Sequence, residues 1–159
     1  MGTEPTAAEY EALMRRYFDA CNAADYDALV ACFTPDAVHY FPPGLDGIPW
    51  RTADTIARGW QHCVATLGSQ WTVDRIVVSQ DSPEAVMEWT HWKHASGTAL
   101  RGVEWYVFDA DALRISEIRA VGRNTMGVKL MDLRGAEKLQ AIAPVVSQEV
   151  EEKAEELPA

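Results

Sequence analysis

The hydrophobic pattern of the chain changes its period once, near residue 70. Before that point, apolar residues recur every three or four positions, which places them on one face of a helix. The first such series is Tyr10, Leu13, Met14, Tyr17, Phe18 and Cys21. After it come runs rich in β-branched and aromatic residues, separated by short turn sequences. Helices first and consecutive strands afterwards predict an α+β domain, in which helices cover one face of an antiparallel sheet.

Three helices and five strands are predicted, with one strand between the second and third helices and the other four after the third. The first helix begins after Thr6, the second spans 25–33, and the third spans 53–67 and ends at Gly68. The predicted strands are 36–41, 71–79, 84–94, 98–108 and 113–120. A strongly curved sheet closed by three helices forms a cone, and a ligand is the natural filling of its hollow.

The composition excludes several classes of function. A formal net charge of −10 argues against a phosphate-binding surface, so we expect no nucleic-acid partner. No apolar run approaches the roughly 20 residues that a membrane-spanning helix requires, so we expect no membrane association. The three cysteines form no CxxC pair, and without a secretory leader at the N-terminus they indicate reduced thiols in the cytoplasm.

The order of elements and one particular segment resemble a known superfamily. The segment 13-LMRRYFDACNAADYDALVACFTPDAVHYFPPG-44 is similar to the opening helices and first strand of the ketosteroid isomerases. Over residues 7–120 the chain resembles the nuclear-transport-factor-2-like superfamily, which also includes the SnoaL-like polyketide cyclases. The resemblance implies the cone-shaped fold. It does not fix the function, because this superfamily contains isomerases, cyclases, dehydratases, epoxide hydrolases and proteins without catalysis.

The isomerase site can be compared with this chain position by position. The resemblance implies that Tyr17 and Glu104 are the two donors of an oxyanion hole. The general-base Asp of the isomerases falls on Phe41 or its neighbour, so that base is missing. A supporting pocket tyrosine on the third helix is replaced by Trp60. The acidic residue that SnoaL-like cyclases carry near the end of the last strand is also missing, from 118–120.

Strand parity predicts further pocket residues, because side chains two positions apart share a face of a sheet. If Glu104 points inward, Tyr106 does too, and His39 shares a face with Phe41. The full set that we expect to bind substrate is Phe41, Trp60, Met87, Trp89, His91, Tyr106 and Arg119.

His39 is the best replacement for the missing base. A neutral imidazole can accept a proton close to pH 7, and the alternative is a hydrogen-bonded core histidine. Glu104 has two interpretations as well: a protonated donor in an apolar pocket, or a buried ion pair with Arg119 that ties two strands together. Because His91 and His94 lie on opposite faces of one strand, and no helix carries a histidine pair at i and i+4, we expect no metal site and no cofactor.

A homodimer is also expected. Alternation along the strands places Trp92 and Trp105 on the sheet face opposite the pocket. An exposed aromatic face is typical of a protein interface, and the resemblance implies a dimer too.

The C-terminal part of the chain resembles another protein. The stretch 122-GRNTMGVKLMDLRGAEKLQAIAPVV-146 is similar to one blade of the C-terminal domain of the DNA gyrase A subunit, and 147–159 is an acidic tail that we expect to be mobile or helical. One blade cannot form a propeller, so DNA wrapping is not implied and no autonomous domain is expected. Either the segment 121–146 was fused to the pocket domain of residues 7–120, or 125–133 extends that domain.

Two hypotheses of function remain open. In the first, the protein is a cofactor-free enzyme that uses acid–base chemistry on a small apolar molecule. Tyr17 and Glu104 then hold a developing oxyanion while His39, or else His91, moves the proton. In the second, the same cone is a non-catalytic module that binds a hydrophobic ligand or forms dimers.

Overall fold

A computed structural model of the chain describes residues 4–42 and 48–122. The three helices are α1 (Ala7–Ala23), α2 (Tyr26–Cys32) and α3 (Ala53–Leu67). The six strands are β1 (Phe33–Tyr40), β2 (Trp50–Arg51), β3 (Ser69–Val78), β4 (Glu84–Lys93), β5 (Thr98–Asp109) and β6 (Arg114–Gly122). Within these described ranges, no helix is long and apolar enough to cross a membrane.

The helix ends follow from capping residues in the sequence. Thr6 and Glu9 form a capping box at the start of α1, and the left-handed Ala24 (φ 51°) ends that helix. The side chain of Asp25 then accepts a backbone hydrogen bond in the first turn of α2. Gly68, with a φ of 60°, ends α3. The three helices therefore lie where the sequence predicts them.

The six strands form one sheet in the order β2-β1-β6-β5-β4-β3. The pairs β3–β4, β4–β5 and β5–β6 are antiparallel, as the short turns between them require. β1, however, runs parallel to β6, so the sheet is mixed and not purely antiparallel as predicted. These two strands are far apart in sequence, and no turn between them fixes their relative direction. The α+β class is confirmed with this one correction.

Bulges interrupt three of the ladders. The register of β1 on β6 shifts between Phe33 and Val38, a stretch that contains Pro35, which has no N–H to donate to a ladder. Similar shifts occur after Val73 in β3 and after Val107 in β5. Bulges bend a strand and increase its twist, which allows strands of this length to curve around the helices.

Alternation along β4 and β5 separates a buried face from an exposed one. The inner face buries Met87, Trp89, Glu104, Tyr106 and Phe108. The outer face leaves Trp92 and Trp105 exposed, at 42% and 48%. The side-chain parity that the sequence predicts for both strands is therefore the parity of the structure.

The last strand runs past the domain boundary expected at residue 120. In the backbone ladder, Val121 and Gly122 of β6 pair with Val103 and Gly102 of β5. The rest of the gyrase-like segment and the acidic tail, residues 123–159, lie outside the described residues. Their expected behaviour stays a prediction.

Candidate functional site

A cavity of about 370 Å³ lies between α3 and the inner face of the sheet. The predicted pocket residues that line it are His39, Phe41, Trp60, Trp89, His91 and Glu104. Sequence reasoning did not single out the other lining residues, which are Pro42, Ile48, Trp50, Cys63, Leu67, Trp71, Lys93, Leu100 and Ala120. Four tryptophans thus surround one space, and they make its walls flat and apolar.

Backbone pairing between β4 and β5 orders the side chains along the cavity floor. The facing pairs, in order, are Met87–Glu104, Trp89–Gly102, His91–Leu100 and Lys93–Thr98. Glu104 and Lys93 therefore mark the two ends of this row, with an apolar and aromatic stretch between them.

Two glycines make room for two of the tryptophans. A Cβ atom on Gly102 would lie 2.5 Å from the indole of Trp89, and one on Gly59 in α3 would lie 2.4 Å from the indole of Trp50. Carbon atoms do not approach each other this closely, so each ring rests directly on a glycine backbone. An isolated glycine inside a strand pattern is typical of such a close approach.

His39 and Glu104 form a buried pair in the cavity wall. The imidazole Nε2 lies 3.5 Å from Oε1 of Glu104, and the two side chains are 0% and 5% exposed. Phe41 stacks on the imidazole with 4.4 Å between ring centroids, and Trp60 meets it edge-on at 5.3 Å. The pair is close, but its separation is longer than an ordinary hydrogen bond.

Tyr106 holds the other side of the Glu104 carboxylate. Its hydroxyl donates a short hydrogen bond to Oε2 of Glu104 and also lies 3.9 Å from the sulfur of Met87. Burial raises the pKa of Tyr106 well above its ordinary value, and the charge and hydrogen bond of Glu104 add to this. Tyr106 therefore stays a donor at neutral pH, and Oε1 is the carboxylate oxygen that faces His39.

Three residues predicted for the site lie in the core and not among the cavity-lining residues. Tyr106 and Met87 are fully buried beside Glu104. Tyr17 packs edge-on against Phe33 at 5.2 Å and lies 6.3 Å from the ring of Tyr106. Burial raises the pKa of Tyr17 well above its ordinary value, and Cys21 and Glu104 raise it further by smaller amounts. Of the four residues expected around one cavity, His39, Trp89 and Glu104 therefore line it, and Tyr17 does not.

Arg119 lies on the outer face of the sheet. Glu104 pairs with Ala120 across the β5–β6 ladder, and Arg119, one position earlier, pairs with Trp105 and points the other way. Its guanidinium binds Glu117 and its side chain is 65% exposed. The structure therefore contains no Glu104–Arg119 ion pair, and the expected contact of Arg119 with substrate is wrong because of this parity.

His91 is held in a neutral, structural position. Its Nε2 lies 2.8 Å from the hydroxyl of Ser69, and its ring stacks on Trp71 with 4.4 Å between centroids. Burial and, to a smaller extent, the positive charge of Lys93 together lower the pKa of His91 to about 4. Among the residues that the structure describes, no three His, Cys, Asp or Glu side chains are grouped so that they could hold a metal ion.

Unpartnered polar atoms are concentrated at this cavity. In the part of the chain that the structure describes, five buried side-chain nitrogen or oxygen atoms have no hydrogen-bond partner. Four of them belong to cavity-lining residues: both ring nitrogens of His39 and the indole nitrogens of Trp60 and Trp89. Each unpaired buried donor or acceptor costs about 1–3 kcal/mol, so their grouping around one space is typical of a site that a ligand completes.

Comparisons with known proteins agree with the fold. A family model described as a SnoaL-like domain matches residues 14–118. A solved structure of a protein of unknown function with a cystatin-like fold, from Methylobium petroleophilum PM1, is 38% identical; the match covers 90% of this chain and 100% of that one, with a TM-score of 0.76.

More distant solved structures carry provisional functional names. One from Kribbella flavida DSM 17836, named as a ketosteroid isomerase, is 21% identical over 87% of this chain and 92% of that one, with a TM-score of 0.60. Another from Sinorhizobium meliloti, named as a polyketide cyclase, is 21% identical over 69% and 94%, with a TM-score of 0.58. At this identity they show the fold alone. No curated protein matches the chain, and the gyrase resemblance stays a hypothesis.

Proposed function

Since the chain belongs to the SnoaL-like domain family, we propose that it is a cofactor-free enzyme that moves a proton on a small apolar substrate, with His39 and Glu104 as its acid–base pair. The observation that carries this proposal is the buried pair itself. Two ionisable side chains lie 3.5 Å apart in the wall of an aromatic cavity, and neither ring nitrogen of the histidine is bonded to the protein. Such a pair is suited to take up and return a proton.

The proposed division of labour follows from the contacts of each group. His39 accepts a proton from the substrate, because its ring nitrogens are free of protein partners. Glu104, fixed from behind by Tyr106, presents Oε1 to the imidazolium that forms and stabilises its charge. Negative charge that develops on a substrate oxygen meets the indole N–H groups of Trp60 and Trp89, which have no acceptor of their own. Tyr17 has no part in this scheme, because it does not line the cavity.

A second candidate is a non-catalytic ligand-binding module. It is favoured by Phe41, which stands where the resemblance implies the catalytic Asp and covers the face of His39. His39 is also fully buried, so a substrate reaches its ring nitrogens only after a neighbouring side chain moves. Both candidates require that apolar molecules enter the cavity, and only the first requires that His39 exchange a proton with them.

Proton abstraction can be tested without knowledge of the natural product. Cyclic and aryl ketones would be incubated with the protein in D₂O, and deuterium uptake beside the carbonyl would be followed by NMR. We expect uptake with the wild type, loss of it in His39→Gln, and normal uptake in His62→Gln, an exposed histidine of α3. Ketones that bind the wild type but never exchange would support the binding module instead.

A further inference from the structure

Among the described residues that line the cavity, Lys93 is the only lysine or arginine. It lies near the end of β4 on the same face as Trp89 and His91, and it is only partly exposed. Within residues 4–42 and 48–122, no carboxylate forms an ion pair with it. Arg15, Arg58, Arg101 and Arg119 have such partners, and Arg16, Arg51, Arg75 and Arg114 have none in those ranges but do not line the cavity. A half-buried cation without a counterion can bind an anion that enters the cavity.

The charge of Lys93 reaches into the cavity. Burial is the first cause of the low pKa of His91, and the positive charge of Lys93 is the second. Burial also raises the pKa of Cys63, while Lys93 acts against that shift. Because both neighbours line the same cavity, the positive charge of Lys93 acts on this end of it.

The two ends of the cavity differ in sign. Glu104 of β5 faces Met87 of β4, and Lys93 lies six residues after Met87 along β4. At the level of the backbone, this separates the two ends by about 20 Å. An anionic ligand is therefore repelled from the Glu104 end and attracted to the Lys93 end. A neutral ligand gains nothing from either charge, and a cationic ligand is drawn to the Glu104 end instead.

The overall charge of the protein does not favour the binding of anions. The chain carries a net charge of −10, so its overall field opposes the approach of negative ligands. A preference for anions in this cavity therefore has to come from a local group, and Lys93 is the cation in place to supply it. Trp60, Trp71 and Trp89 supply flat apolar walls for the remainder of such a ligand.

We propose that the cavity binds an aromatic or polycyclic carboxylate, with its apolar rings between the tryptophans and its carboxylate paired with Lys93. This inference rests on the proposed function, because it names the class of substrate for the same cavity. It also fixes the orientation of the ligand. The carboxylate lies at Lys93, and the part of the molecule that exchanges a proton points towards His39 and Glu104.

Isothermal titration with a matched pair of probes tests the proposal. 2-Naphthoate and its neutral isostere 2-naphthamide would be titrated at pH 7 into the wild type, Lys93→Met, Lys93→Arg and Arg15→Met. Arg15 is an exposed residue of α1 outside the cavity, so its replacement removes one positive charge without touching the site. Thermal melts would establish that each variant is folded.

We expect the wild type to bind the carboxylate about fivefold or more tightly than the amide, as a partly screened ion pair allows. Lys93→Met should bind the two probes equally, while Lys93→Arg and Arg15→Met should keep the preference. Equal affinities in the wild type, a preference that survives Lys93→Met, or no binding of either probe would overturn the proposal. The readout is binding, so failure here is distinguishable from failure of the acid–base role, which appears as absent deuterium exchange in molecules that do bind.

Discussion

The indole of Trp89 lies directly over Gly102, its partner across the β4–β5 ladder. A Cβ atom at residue 102 would be 2.5 Å from that ring. Gly102→Ala should therefore push the indole towards the cavity and lower the affinity for apolar ligands by about tenfold, with a modest loss of stability from overpacking. Titration of 2-naphthoate measures the effect. Ala99→Val, at an exposed position on the same strand, should leave binding unchanged; equal losses in both variants would show that the cavity is not involved.

Stability should depend on pH through His91. Burial lowers its folded-state pKa to about 4 from the ordinary 6.5, so the unfolded chain binds the extra proton first. The contribution of His91 to the free energy of unfolding should then be fully present above pH 6.5. It should fall by up to about 3 kcal/mol as the pH drops from 6.5 towards 4. Melting temperatures across this range would show a shallower slope in His91→Gln than in the wild type. His94→Gln, at an exposed residue, should keep the wild-type slope, and a slope unchanged in His91→Gln would contradict the assignment.

Tyr106 should act as a positioning residue for Glu104. Tyr106→Phe removes the buried donor to Oε2 and leaves a carboxylate oxygen unpaired, which should lower the free energy of unfolding by about 1–3 kcal/mol. Deuterium exchange should also slow, because Oε1 loses its fixed position opposite His39. Tyr17→Phe is the matched control, since Tyr17 is equally buried beside the Tyr106 ring, while the hydrogen bond to Oε2 of Glu104 comes from Tyr106. Exchange that slows in Tyr17→Phe and stays normal in Tyr106→Phe would return the oxyanion role to Tyr17.

We propose that the outer sheet face forms a homodimer. Trp92 and Trp105 are 42% and 48% exposed there, and Val77 adds to the same apolar surface at 51%. Sedimentation at micromolar concentration should find a dimer for the wild type and a folded monomer for the double variant Trp92→Gln, Trp105→Gln. Leu67→Ser, at an exposed apolar residue of α3, should remain a dimer. A monomeric wild type would contradict the proposal.

Much of the fold could be predicted from local patterns. Caps such as Asp25 and Gly68 placed the helix ends, and alternation placed Trp92 and Trp105 on one face and Glu104 on the other. The direction of β1 against β6 could not be predicted, because no turn connects them.

The candidate site was predictable only in part, for a related reason. Parity fixes the face of a residue but not its depth, so it could not show that Tyr106 and Met87 lie beneath the cavity wall. Arg119 was expected beside Glu104 on the neighbouring strand, but Ala120 is the residue that pairs with Glu104, and alternation places Arg119 on the opposite face. Parity places Lys93 on the same face as Trp89 and His91, but it was missed because a charged residue at a strand end is also typical of a solvated position.

Glu104→Gln tests the proposed chemistry most directly. The substitution keeps the shape of the side chain and removes the charge that faces His39 at 3.5 Å. The readouts are the rate of deuterium exchange, the affinity for the exchanging ketone and the melting temperature, with Glu11→Gln on the surface of α1 as the control. We expect the exchange rate to fall by about 10²–10⁴-fold while the affinity changes little, because the charge acts mainly in the transition state. A variant that exchanges at the wild-type rate, with only its melting temperature changed, would contradict the acid–base role of Glu104 and leave it a structural residue.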